Sequence, residues 1–315
     1  MAFAGKLRND DPKRHKRRRL KSMSLFPTLL TIGNLLCGFA AIHFALRAMY
    51  VLGAEIPDDA VQTFRRAGWE RILPSYLTIG AGLVLLGMVF DCFDGLVARA
   101  TRSTTNFGGQ LDSLADVVTC GAAPAALMIV LMTRELAGDF IVPSPFSEHA
   151  WGRFTWIAAA VYVALAAVRL ARFNVEHADV DGDHKSFRGL PSPGAAAVVV
   201  ALIIVREQFG PTGRQNIAYA LPVVALCTAF LMVSRIPYRR FYRTYLLGRK
   251  PFGRLTGILL VLVIFWSYPA PTLLVLVLWY AGSGPAEALF RLVRRKRPIA
   301  GSSSGDAGQI KRLSG

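Results

Sequence analysis

Histidine and cysteine are scarce in this chain, at five and four of 315 residues. The cysteines, Cys37, Cys92, Cys120 and Cys227, stand in apolar stretches without metal-ligand spacing. That pattern excludes a disulfide scaffold, argues against zinc, and marks all four as small buried hydrophobes. Charge is sparse as well, at 18% of residues, and acids are the minority: 20 Asp and Glu against 37 Lys and Arg, a net charge of +17. A chain with 53% apolar side chains and a mean hydropathy of +0.39 is too oily for disorder and carries too little balanced charge for an ordinary soluble domain. The 28 glycines and 17 prolines follow no period, which excludes collagen, and no internal repeat is present.

What the chain has in quantity is long apolar runs. Spanning a bilayer takes about 20 such residues in a helix, and eight candidates appear: Leu25 to Leu46, Tyr76 to Ala98, Leu111 to Met132, Trp156 to Ala171, Ala195 to Val205, Ala218 to Val233, Leu255 to Trp266 and Pro271 to Phe290. The expected fold class is therefore all-α, a polytopic transmembrane helical bundle of about eight spans. The fifth and seventh runs are short, and Pro191, Pro193 and Gly194 could open the fifth helix, since proline is tolerated in a first turn.

Residues 1–23 hold nine Lys and Arg and precede a first span too long, and without the small-residue site, for a cleavable signal. The positive-inside rule then places the N-terminus in the cytoplasm. With eight spans, the inward segments carry 29 of the 37 basic residues and the outward ones seven. Both termini are expected inside, in an integral membrane protein. The chain divides into a basic tail (1–23), a catalytic membrane domain (24–240), additional C-terminal spans (241–292) and a disordered tail (293–315) containing Ser302, Ser303 and Ser304. Basic residues beside spans, without stacking aromatics, point to anionic lipid headgroups and not to nucleic acid.

Charged residues within or at the ends of spans are costly and by default mark function. Asp91 and Asp94 stand i,i+3 in Asp91-Cys92-Phe93-Asp94-Gly95-Leu96-Val97-Ala98-Arg99, and Asp112 and Asp116 stand i,i+4 in Gly108-Gly109-Gln110-Leu111-Asp112-Ser113-Leu114-Ala115-Asp116. Each pair shares one helix face. The two helices, joined by a short loop, are expected to lie antiparallel with both pairs toward the cytoplasmic side, so the faces can meet. Four converging carboxylates require a positive partner. Hard oxygen ligands suit Mg²⁺, Mn²⁺ or Ca²⁺, and Mg²⁺ held this way keeps positions open for substrate phosphates. Gly95 and Gly108 remove side chains where a phosphate or nucleotide must approach, and Arg99 offers a phosphate contact. Two other readings compete: the aspartates cap helices or pair with Arg99 and Arg102, or they serve a cation or proton transporter. Transporter carboxylates typically sit near the midplane on broken helices. The interfacial placement favours chemistry on a headgroup.

Residues 91–116 match every fixed position of D-x2-D-G-x2-A-R-x8-G-x3-D-x3-D, and on these residues the chain resembles the CDP-alcohol phosphotransferase family. The resemblance implies that family's fold and transfer of a substituted phosphoryl group from a CDP-linked donor to an alcohol, with release of CMP. It implies a two-metal centre of Mg²⁺ or Mn²⁺ on Asp91, Asp94 and Asp112. Asp116 would also be close enough to ligate and would be the base that deprotonates the acceptor. Gly95, Ala98, Arg99 and Gly108 would line the CDP site, and a homodimer is expected.

Looser stretches resemble the integral-membrane phosphatidylserine synthases of bacteria: Pro27 to Gly38, Asp112 through Gly121 to Pro124, Arg169 to Asn174, Phe187 to Pro193, and Ser234 to Tyr238. They imply CDP-diacylglycerol as donor, L-serine as acceptor, phosphatidylserine and CMP as products, and a bacterial inner membrane with the active site on its cytoplasmic face. Arg169, Arg172, Asn174 and Arg188 are candidates to hold serine's carboxylate or the donor phosphate; the alternative is that these arginines are positive-inside anchors, as Arg239 and Arg240 are read to be. Thr31 and Asn34 could hydrogen-bond the nucleotide or bond between helices. Glu176, Asp179, Asp181 and Asp183 read as a solvated acidic turn. Glycerol 3-phosphate or inositol phosphate are the rival acceptors, and each would require further basic residues near the metals.

Overall fold

The computed structural model describes residues 25–50, 75–101, 106–136, 143–178, 189–236 and 251–295. The basic tail, the chain beyond Arg295, the segment 51–74, Arg102, the acidic stretch from Asp179 to Asp183 and Arg188 lie outside the described residues. Among the described residues every regular element is helical. In chain order these are α1 (Leu25–Tyr50), α2 (Tyr76–Thr101), α3 (Asn106–Asp116), a π-helical turn (Val117–Ala122), α4 (Ala123–Glu135), α5 (Ala150–Ala178), α6 (Ser192–Val205), a 3₁₀ turn (Arg206–Gln208), α7 (Pro211–Val233), α8 (Pro251–Ser267) and α9 (Pro269–Arg295).

All eight apolar runs fall within helices. Among the described residues, five helical stretches are long and apolar enough to cross a membrane: Phe26–Tyr50, Tyr76–Val97, Phe107–Glu135, Ala150–Val175 and Pro211–Val233. α6 opens as expected, with Pro191 at its N-cap and Pro193 in the first turn, but at 14 residues it reaches only about 21 Å. α5 extends beyond its apolar run in both directions, so Glu176 is helical and not part of a turn. α9 runs to Arg295, into the stretch assigned to the tail.

Large apolar side chains are exposed along whole faces, among them Phe26, Leu29, Leu36 and Phe39 on α1 and Ile258 to Trp266 on α8. Lipid satisfies such faces and water does not. One expectation about them fails. Cys37 and Cys120 are buried, but Cys92 and Cys227 are exposed on outward faces, where an apolar neighbourhood in sequence is lipid contact and not core.

Inside the bundle, small residues let backbones approach, which replaces the hydrophobic effect as the driver of packing in lipid. A Cβ on Gly38 would stand 2.9 Å from the Cα of Thr119, and one on Gly80 would stand 2.8 Å from Leu127. One on Gly87 would meet Thr119 at 2.7 Å and the Asn34 side chain at 2.8 Å. The pairs 80/127 and 87/119 run in opposite senses, so α2 lies antiparallel to the α3–α4 rod, with α1 packed against both. Gly189, at φ +85, is required where it stands: its N–H donates to Ile236 O at 2.8 Å, and a side chain there would strike the Met232 carbonyl.

The two ends of the bundle carry different charge. At one end lie the aspartates. At the other, buried Arg206 pairs with Glu135 and, at 2.8 Å, with Glu207, which also binds Arg214 at 3.3 Å and the Ser75 hydroxyl at 2.7 Å. At about 1.5 Å per residue the rod from Asp116 to Glu135 spans roughly 28 Å, close to the ~30 Å hydrocarbon thickness of a bilayer.

Candidate active site

The aspartate site is built by three helices. α2 delivers Asp91 and Asp94 two to three turns before its end, and the first turns of the α3–α4 rod deliver Asp112 and Asp116. Carboxylate oxygens of Asp91, Asp112 and Asp116 all lie within 4.8 Å of one another. The same-face spacing thus brings these three together. Asp94 is buried and turned toward α1, where the Thr31 hydroxyl donates to its Oδ2.

α1 also holds Asp116. Asn34, fully buried, donates from Nδ2 to Asp116 Oδ1 at 3.1 Å, and the Thr119 hydroxyl donates to the Asn34 carbonyl at 2.9 Å. Thr31 and Asn34 therefore bridge α1 to the two carboxylate-bearing helices. Gly87 leaves the space that the Asn34 side chain occupies.

Directly after Asp116 the rod widens into its π turn. Such single-turn widenings concentrate at functional sites. Ala123 N–H reaches back five residues to Val118 O, and Pro124, next in line, has no N–H to give. The Tyr162 hydroxyl of α5 donates instead to Cys120 O at 3.0 Å, supplying a donor from outside the rod. Tyr162, Thr119 and Cys120 are buried here and carry no sequence signal except Pro124 itself.

Of the arginine-bearing stretch, Arg169 and Asn174 both connect to the site. Arg169 lies within electrostatic reach of Asp116 and Asp91, and its Nη1 donates to Ser192 Oγ at the start of α6. Asn174 is paired with Ser113, one residue from Asp112, through its Nδ2 at 2.8 Å. Arg172 lies on α5 in the same run. Gly95 and Gly108 flank the carboxylates on α2 and α3, while Ala98 and Arg99 continue α2 beyond them. Ser192 and Ser113 were missed from sequence, where an isolated serine carries no pattern.

Three clustered carboxylates, with Asp112 Oδ1 buried and accepting no hydrogen bond, are the donor set a hard divalent cation requires. The residues fit that group. With an open face toward phosphate oxygens, such a centre can stabilise charge on a transferring phosphorus.

Comparison with known proteins converges on this site. The profile of the family described as CDP-alcohol phosphatidyltransferase matches residues 24–283. The chain is similar to the CDP-diacylglycerol–serine O-phosphatidyltransferase of Helicobacter pylori strain J99, at 30% identity over 222 residues, covering 70% of this chain and 75% of that protein. The enzyme of the same name from Bacillus subtilis strain 168 is 28% identical over 221 residues, covering 70% of this chain and 92% of the relative. That of Mycobacterium leprae is 25% identical over 232 residues, 73% of this chain and 63% of the relative.

Proposed function

Because this chain belongs to the CDP-alcohol phosphatidyltransferase family, we propose that it moves the phosphatidyl group of CDP-diacylglycerol to the hydroxyl of L-serine, giving phosphatidylserine and CMP. The observation that carries the reading is the triad of half-buried Asp91 and Asp112 with buried Asp116, one Asp112 oxygen unpartnered, inside the region the family profile covers. The relatives named for serine transfer supply the acceptor. Membership of this family displaces a transporter.

Asp91, Asp94, Asp112 and Asp116 would hold two Mg²⁺ or Mn²⁺ ions, whose charge, when they are bound, stabilises the phosphorus and makes CMP a better leaving group. The serine oxygen forms a bond to the phosphatidyl phosphorus as the bond to the CMP oxygen breaks. The serine proton passes to Asp116, and CMP departs with the electron pair. Asn34 occupies Asp116 Oδ1, which leaves Oδ2 to take that proton. Transfer is direct on this reading, since among the described residues no activated serine or cysteine nucleophile faces the triad. Gly95, Ala98, Arg99 and Gly108 border the nucleotide, and Arg169 offsets the local negative charge. On this reading the chain crosses the membrane about eight times, α6 and α8 being the short crossings, with the aspartates toward the cytoplasmic face, where serine is dissolved and CMP is released.

The experiment supplies purified protein with CDP-diacylglycerol, Mg²⁺ or Mn²⁺ and one acceptor at a time. CMP release with serine, and not with glycerol 3-phosphate or inositol phosphate, is the expected result. Release with a phosphorylated acceptor instead reassigns the alcohol, and no release with any acceptor refutes the reading.

A further inference from the structure

α9 carries none of the signature residues, yet it reaches the site. Its Tyr280 ring lies against the first turn of α6, where a Cβ on Gly194 would stand 3.0 Å from Tyr280 Cε1. Two residues earlier in that same turn, Ser192 receives the hydrogen bond from Arg169. Tyr280 and Arg169 thus converge on one helix start from opposite neighbours, α9 and α5. The charge of the Arg169 guanidinium interacts with the Tyr280 phenol and with the Asp116 and Asp91 carboxylates. Arginine has five donors and several rotatable bonds, so a single bond to Ser192 does not fix where its charge points.

We propose that Tyr280 is a positioning residue for Arg169: seated on Gly194, it supplies the second restraint that keeps the guanidinium aimed at the carboxylate pair. The last helix thereby completes the reaction centre from outside the signature. This role rests on reading the aspartate cluster as the site of phosphatidyl transfer.

Tyr280→Phe keeps the ring on Gly194 and removes only the hydroxyl. The expected result is a fall of about tenfold in kcat/KM for the acceptor, the scale of one hydrogen bond to a charged group, with an unchanged thermal midpoint. Ser192→Ala loosens the other restraint, and the doubly substituted protein should depart from the product of the two single effects, because both act on one guanidinium. A merely structural tyrosine would lower the midpoint and leave that coupling at zero. Tyr280→Phe within twofold of wild type, or two independent effects, overturns the proposal. Wild-type protein that releases no CMP with any acceptor instead refutes the transfer reading itself, and Tyr280's role falls with it.

Discussion

Adding one methyl group at Gly87 should reach the chemistry through packing alone. Its Cβ would lie 2.7 Å from Thr119 Cγ2, 2.8 Å from Asn34 Oδ1 and 3.3 Å from Cys37 Cβ. The first two are closer than real contacts allow, and Thr119 is held by its bond to the Asn34 carbonyl. Overpacking of this kind costs about 1–3 kcal/mol in stability. The cheapest relief is to swing the Asn34 amide away, which gives up its hydrogen bond to Asp116. A bond to a charged group is worth about 1.5–3 kcal/mol, so Gly87→Ala should lower kcat/KM by roughly tenfold to a hundredfold. The assay is CMP release together with thermal unfolding in the same detergent. Gly109→Ala is the control: nothing lies within 4 Å of its Cβ, and an exposed helical glycine replaced by alanine should hold or slightly raise stability. Thr119→Ser removes the nearest clashing methyl and should return part of the loss. Gly87→Ala with wild-type stability and turnover would refute the claim that this close approach holds Asn34 on Asp116.

Asp116→Asn should abolish CMP release while binding of the CDP donor is largely retained, read by turnover beside direct nucleotide binding; retained turnover would remove Asp116 as the base. Chelation by EDTA should stop the reaction, and Mg²⁺ or Mn²⁺ should restore it, since Asp112 Oδ1 otherwise has no partner. Arg206→Ala strands Glu135 and Glu207 without their buried cation and should cost about 3 kcal/mol of stability. Its effect should appear in the thermal midpoint, with kcat per folded molecule unchanged.

The aspartates could be located from sequence because a carboxylate within an apolar run has no inexpensive bland explanation, and period alone fixes which pairs share a face. Thr31 and Asn34 were visible as polar residues in a span, but a side chain's partner across helices depends on packing that a linear pattern does not carry. The π turn left no trace in Val117–Ala122, and Pro124, whose missing N–H leaves a carbonyl without its helical donor, is the one residue there from which it could have been suspected. Tyr162 and Tyr280 were hidden for a related reason, since an aromatic residue in an apolar helix reads as core or lipid contact until its hydroxyl has a destination. Helix existence was legible nearly everywhere. Helix length was less so, because α5 runs past its apolar limits and α6 stops well short of a bilayer's thickness. The exposure of Cys92 and Cys227 shows the same limit: hydropathy reports affinity for an oily environment and not whether that oil is protein or lipid.

The charged clusters at the two ends of the rod have a consequence for traffic. With ion pairs at one end and carboxylates at the other, the bundle resists moving along the bilayer normal, because either shift draws charged groups into oil. The reacting phosphorus is then met at the height where a lipid already carries it. In the proposed reaction donor and product would share the same two acyl tails, and neither would need to be lifted out or flipped. The lipids would then enter and leave sideways in the plane of the bilayer, while serine and CMP would come and go perpendicular to it.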